Sequence, residues 1–265
     1  MMPIFFDTHA HLDYPDYTQD LAEVIARAQA AGITKIISIG TSLESSGRAI
    51  KLAERFPNVY AAVGWHPTEK SAGPDDLRPA LREMARHPKV VAIGETGLDY
   101  HRPPEGEQAI ANYKQKQAKI FEQQLEIAVE FGLNCIIHQR DAFDDTLAQL
   151  KPYSGKLRGV FHCFGENIER MKKVLEIGSL VSFTGIVTFK NGQNVRDTVA
   201  ATPSNKFMLE TDCPYLAPVP YRGKRCEPAY VKEISETVAQ VRMCSLEELS
   251  AVTCETALEF FPKIK

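Results

Sequence analysis

Short apolar runs recur along this chain, separated by stretches with helical spacing. Runs rich in Ile, Val, Leu and Phe fall at 4–7, 35–40, 59–64, 90–95, 134–138, 159–162, 180–184 and 207–211. Runs this short, bounded by Gly, Pro or charge, predict strands buried on both faces of a parallel sheet. Between them, LAEVIARAQAAG, SSGRAIKLAERF, KQKQAKIFEQQLEIAVEFG and ENIERMKKVLEIG carry apolar residues at helical intervals, with Gly32 as a stop signal. VKEISETVAQVR and LEELSAVTCETALEFF follow the last run in the same manner. Eight strands alternating with helices predict an α/β chain folded as a (β/α)8 TIM-type barrel rather than a doubly wound sheet.

Length agrees with that count. The chain has 265 residues, and roughly 250 is typical of one such barrel. No boundary, repeat or low-complexity tract interrupts it, so residues 1–265 are expected to form a single domain. At 44% hydrophobic and 25% charged residues the composition is that of an ordinary globular protein. No apolar stretch approaches the ~18 residues of a membrane span, and no secretory core opens the chain. Cys135, Cys163, Cys213, Cys226, Cys244 and Cys254 contain no CxxC pair and read as free thiols of a reducing compartment. A cytoplasmic location is expected. The net charge of −3 argues against nucleic acid held on a broad basic face. It does not argue against a nuclease whose bound cations supply the positive charge.

The chemistry lies where the runs stop. His9, His11, Glu95, His138, His162 and Asp212 all sit at strand ends, and the C-terminal ends of barrel strands open onto one catalytic face. His9 and His11 are two apart, so both imidazoles share a face. A buried Glu95 needs partners for its charge, and a shared carboxylate is what two ions about 3.5 to 4 Å apart require. Asp212 is expected to ligate and to act as general base for a water. Glu210, two residues earlier, is expected to orient a ligand or water, and His66, at the end of the third strand, to meet substrate or leaving group. His87 falls on the opposite face and reads as structural. His101 lies in a loop and is left open between solvent and substrate. The Pro- and Gly-rich segments GLDYHRPPEGEQA and CPYLAPVPYRGKRCEP are expected to roof the site as loops. In the second, Arg222, Lys224 and Arg225 suit phosphate capture. Trp65 and Tyr100 are the candidate aromatic platforms for single strands.

FFDTHAHLD, VGWHP, AIGETGLDY, IIHQRDA, FHCF, SFTGIVTFKN, LETDCPYLAPVPYRGKR and EPAYV occur in this order. The ordered set resembles the TatD family of metal-dependent deoxyribonucleases from residue 4 to near the C-terminus. The resemblance implies a distorted barrel and metal ligation by His9, His11, Glu95, His138, His162 and Asp212, with His66 and Glu210 nearby. It also implies two divalent ions (Mg²⁺, Mn²⁺ or Zn²⁺) and 3′→5′ exonuclease action on DNA, in some members on RNA. Cys226 departs from the small polar amide that many relatives carry before EP. The expected enzyme is a monomer in which hydroxide formed at the metals attacks phosphorus. The alternative is the same centre acting on C–N or ester bonds, as an amidohydrolase, lactonase or deacylase. An idle binding or scaffold protein is disfavoured by the complete ligand set.

Overall fold

A computed structural model describes residues 3–69 and 74–265. Among the described residues, eight strands form one parallel sheet in chain order. They are β1 (Phe5–Ala10), β2 (Ile33–Ile39), β3 (Val59–Val63), β4 (Val90–Asp99), β5 (Asn134–Arg140), β6 (Gly159–Phe161), β7 (Leu180–Phe183) and β8 (Phe207–Leu209). Just beyond β8 the sheet meets β1 again. Asp212 N–H donates to the His9 carbonyl at 2.9 Å, and His11 N–H to the Cys213 carbonyl at 2.8 Å. Asp7 clamps the same seam, its carboxylate accepting from the Thr211 backbone N–H at 2.9 Å and hydroxyl at 2.6 Å. The expected (β/α)8 barrel is present.

Helices alternate with the strands: α1 (Leu21–Ala30), α2 (Leu43–Arg55), α3 (Arg78–Ala85), α4 (Glu107–Phe131), α5 (Phe143–Leu150), α6 (Ile168–Glu176) and α7 (Gln193–Ala201). After β8 come α8 (Val231–Arg242) and α9 (Leu246–Phe260). The sequence pattern does not single out α3, α5 and α7. Each has eight or nine residues. Helix α9 starts on a capping box between Ser245 and Glu248. At its other end Phe260 and Phe261 pack with Ile37, Ile39, Val91, Ile136, Val160 and Met208. The barrel is therefore filled and stoppered on the side of α9, and its polar residues gather on the other.

Two local irregularities aim the site. In β1 the pairing with β2 shifts between Asp7 and Ala10. Strict alternation from the inward Phe6 would turn Thr8 and Ala10 inward as well. Instead Ala10 packs in the outer cluster with the helices, and His9 and His11 converge on the barrel mouth. In β4 the register against β5 shifts between Ile93 and Thr96, a bulge that re-aims Glu95. This strand also runs four residues past the expected end, so GLD is sheet rather than loop. Conversely β6 and β8 stop early, leaving His162, Glu210 and Asp212 on the rim just after them.

Gly97 makes the β4 path possible. Its φ is +139°, and a Cβ there would lie 1.9 Å from the His138 carbonyl oxygen. We expect Gly97→Ala to destabilise the fold by at least about 2 kcal/mol, through backbone strain and overpacking. Chemical denaturation measures this; a change under about 0.5 kcal/mol, the ordinary range of a neutral surface substitution, would mean that the strand relaxes freely.

Candidate metal centre

Glu95 is 3% exposed and occupies the middle of the site. Its Oε1 lies 2.8 Å from His162 Nε2, 3.1 Å from His138 Nδ1 and 3.3 Å from His66 Nε2. Its Oε2 lies 3.5 Å from His9 Nε2 and 3.7 Å from His11 Nε2. Asp212 Oδ1 completes the second group, 3.4 Å from His11 Nε2 and 3.6 Å from His9 Nε2. One carboxylate thus faces two clusters of ring nitrogens, one with each oxygen.

These donors suit divalent cations. His9 with His11 and Asp212, His9 with Glu95 and His162, and His66 with Glu95 and His138 each bring one ligand atom within 4.8 Å of the others. Mixed imidazole and carboxylate donors accept Zn²⁺ and Mn²⁺, and the carboxylates Mg²⁺. Burial, with the charge of His162 beside it, pushes His9 down to about 4. The His9 and His162 rings stack at 4.1 Å. Burial opposes charge on His162 as well, but Glu95 outweighs it and draws the imidazole up to about 9. Burial also works against Glu95, yet the surrounding imidazoles, His162 first, hold its carboxyl well below the usual range. Glu210 is the contrast. Burial pushes it up to about 7, and its Oε1 accepts the Cys163 N–H at 2.6 Å below His162.

Hydrogen bonds decide which nitrogens face the centre. The Thr68 backbone N–H points at His66 Nδ1 at 3.1 Å. A nitrogen that accepts carries no proton, so the neutral ring has its proton on Nε2, the atom facing Glu95. This makes His66 a donor toward the cleft rather than a lone-pair ligand. His138 is oriented the opposite way. Its Nε2 lies 2.8 Å from Asp99 Oδ2, so Nε2–H donates there and Nδ1 presents its lone pair to the centre. A carboxylate behind a ligating imidazole is the usual orienting device at metal sites. Asp99 is absent from the sequence-based set. Its signal was the i, i+4 spacing from Glu95, visible only once GLD is read as strand.

Above the centre opens a cleft of about 1030 Å³. It is lined by His11, Glu95, His138, His162, Asp212 and His66, as expected, and also by Tyr14, Arg102, Arg140 and Tyr215. His101 is at its edge, 2.8 Å from Asp141. His87 pairs with Glu54 at 3.2 Å, away from it.

Tyr215 of the basic loop lines this cleft, but the loop's basic side chains do not. Arg225 is turned away onto Asp20, at 2.8 and 2.6 Å, and lies over the Tyr17 ring. Arg222 sits 3.7 Å above Phe189 and donates to the Ala217 carbonyl. Lys224 is exposed outside it. Among the described residues, the arginines that line the cleft are Arg102 and Arg140, and Arg222, Lys224 and Arg225, expected at phosphate, are not among its lining residues. The aromatic candidates change too. Trp65 is buried, its backbone held by Gln124, and Tyr100 packs under Lys114.

The family model for TatD related DNase matches residues 6–262. The chain belongs to the TatD family. It is 38% identical over 97% of its length to an uncharacterized metal-dependent hydrolase, YabD, of Bacillus subtilis, covering 99% of that protein. To the 3′-5′ ssDNA/RNA exonuclease TatD of Citrobacter rodentium it is 36% identical, over 97% of both. The structure of YJJV, a TatD homolog of Escherichia coli K12, superposes with a TM-score of 0.89 at 27% identity over 99% of both chains. The fold is shared by an amidohydrolase of Saccharomyces cerevisiae, with a TM-score of 0.81 at 18% identity over 98% and 100% of the two chains. This TatD-family member is a metal-dependent hydrolase. Among the described residues, no helix is long and apolar enough to cross a membrane.

One prediction concerns this TatD-family site and one the basic loop beside it. Asp99→Asn should weaken metal binding by about 10- to 100-fold, read by titrating Zn²⁺ or Mn²⁺ into stripped protein; unchanged affinity would remove Asp99 from the site. The second concerns Arg225, whose hydrogen bonds draw the Asp20 carboxyl down to about 2. A carboxyl held below its ordinary value stabilises the fold above that value and ceases to as pH falls through the lowered one. Asp20→Asn should therefore be less stable than wild type at neutral pH, with the gap narrowing once pH drops below about 4. Denaturation curves at several pH values test this, and a gap that persists into the lowered range would place its origin elsewhere.

Proposed function

We propose that this chain is a 3′→5′ exonuclease hydrolysing the phosphodiester bonds of single-stranded DNA, and of RNA as a second substrate. The carrying observation is the convergence of His9, His11, Glu95, His138, His162 and Asp212 beneath an open cleft with Arg102 and Arg140 in its wall. The named activity of the Citrobacter rodentium relative supports it. Two divalent ions, Mg²⁺, Mn²⁺ or Zn²⁺, would be held by His9, His11, Asp212 and Glu95 on one side and by Glu95, His138 and His162 on the other. When bound, they supply Lewis acidity and make water acidic enough to be a nucleophile at neutral pH. We read the protein as a single-domain monomer of the cytoplasm.

The remaining chemistry belongs to the chain's own groups. Asp212 faces the cleft with 14% of its side chain exposed, whereas Glu210 is sealed at 1%. Asp212 is therefore the proton acceptor for the attacking water. Glu210 positions the rim, through the Cys163 N–H and the nearby His162 ring. His66, neutral with its proton on Nε2, offers a hydrogen bond to the leaving oxygen, whose proton comes from water. Arg102 and Arg140 neutralise the non-bridging phosphate oxygens, a task for which a fixed guanidinium fork is suited.

Chelator-stripped protein, reconstituted with Mg²⁺ or Mn²⁺, should release nucleotides stepwise from the 3′ end of labelled single-stranded DNA. Glu95→Ala and Asp212→Ala should each lower turnover by at least about 10³-fold with an unchanged circular dichroism spectrum. No release from DNA, with turnover of a lactone or dipeptide in its place, would move the same centre to ester or amide hydrolysis.

A further inference from the structure

An aromatic row leads out of the metal centre. The His11 ring stacks on Tyr14, with centroids 4.7 Å apart and planes at 24°. Tyr14 meets Tyr215 edge to face at 6.3 Å and 78°, and Tyr215 is 6.5 Å from His11. Tyr14 is held between the His11 ring and Tyr215. Tyr215 is pinned by its backbone, whose N–H donates to the Asp212 carbonyl at 3.0 Å. Both rings line the cleft.

Tyr215 is unusual in being exposed. Its relative accessibility is 54%, and among the described residues it alone of the exposed large hydrophobic side chains lines the cleft. The others, such as Met243 and Leu258, lie elsewhere on the surface. A rigid ring left open to water beside a reaction centre, and buttressed by a second ring, is a surface for a flat apolar partner. A nucleotide whose phosphate lies at the centre carries such a partner one sugar away.

We infer that Tyr215, backed by Tyr14, is the stacking platform for the base of the nucleotide being released, and that it selects unpaired ends. This rests on the exonuclease reading above and deepens it. A base inside a duplex already has both faces covered and its edge paired, so it must leave the stack before it can lie on Tyr215. A frayed or single-stranded end offers its face freely. Stacking is indifferent to base identity, because every base has a π-face. The platform therefore distinguishes strandedness rather than sequence.

The test uses metal-reconstituted enzyme and two single-stranded oligonucleotides differing only at the 3′-terminal residue, one with its base and one abasic. Wild type should cut the base-bearing end with kcat/KM roughly tenfold to hundredfold above the abasic one. Tyr215→Ala should cut both alike, and Tyr215→Phe, which keeps the ring, should retain the preference. A terminal 2-aminopurine on a phosphorothioate strand reads stacking without turnover. Its fluorescence should be quenched by wild type and Tyr215→Phe but not by Tyr215→Ala. If wild type cuts DNA without preferring the base-bearing end, or if Tyr215→Ala keeps both preference and quenching, the platform assignment is wrong while the exonuclease reading stands. If wild type releases nothing from either strand, the exonuclease reading fails and the platform falls with it.

Discussion

A buried carboxylate surrounded by imidazoles is the constraint on which this structure depends. Glu95 has almost no access to water, and a charged carboxylate there is costly unless partners surround it. It has five: His9, His11, His66, His138 and His162 all place a ring nitrogen within 3.7 Å of it. They come from, or from just beyond, four different strands, so the charge on Glu95 can be satisfied only when the barrel is assembled. The bulge in β4 and the Cβ-free approach of Gly97 to His138 place Glu95 at that focus. Asp99, four residues further along the same strand, then fixes the ring of His138 from behind.

Closure of the barrel and construction of the site are one event. The hydrogen bonds that join β8 back to β1 involve His9, His11, Asp212 and Cys213, so the residues facing the centre also form the seam. Asp7 bears on the same junction. Burial pushes its carboxyl up to about 8, against the pull of the Thr211 hydroxyl and N–H. Strain accumulates on the same face. Asp141, Cys163 and Asp212, just past β5, β6 and β8, all have positive φ without being glycine, a conformation that costs about 1–3 kcal/mol each. The opposite end, stoppered by Phe260 and Phe261, has tight apolar packing. Stability and reactivity are thus divided between the two ends of one barrel.

That division explains what the sequence disclosed. The strands were legible because buried parallel strands are apolar throughout, and the six convergent residues because each interrupts such a run at its end. Asp99 escaped notice because the pattern alone cannot show that GLD continues the sheet after a bulge. Tyr14 and Tyr215 escaped because an aromatic residue in a loop has no period to reveal its direction. The basic loop shows how sequence proximity differs from proximity in space. Arg222, Lys224 and Arg225 are close to Asp212 in sequence, but Arg225 belongs with Asp20, some two hundred residues earlier. Ion pairs of that separation leave no local trace. Its strand end places His66 at the rim, but the direction of its proton depends on the Thr68 N–H.

On the exonuclease reading, the charge distribution sets how this enzyme holds its substrate. The whole chain carries a net −3, and the arginines lining the cleft are Arg102 and Arg140. Non-specific affinity for a polyanion grows with the number of phosphates neutralised by side chains. Arg102 and Arg140 favour contact with the phosphates nearest the centre. On that reading, binding centres on the phosphate at the metal site and the base beside it. A protein that grips its substrate at a single nucleotide gains nothing from a long continuous duplex, which would instead withhold the base from Tyr215. On the exonuclease reading, the open cleft and the exposed ring therefore favour the same substrate, a free unpaired end.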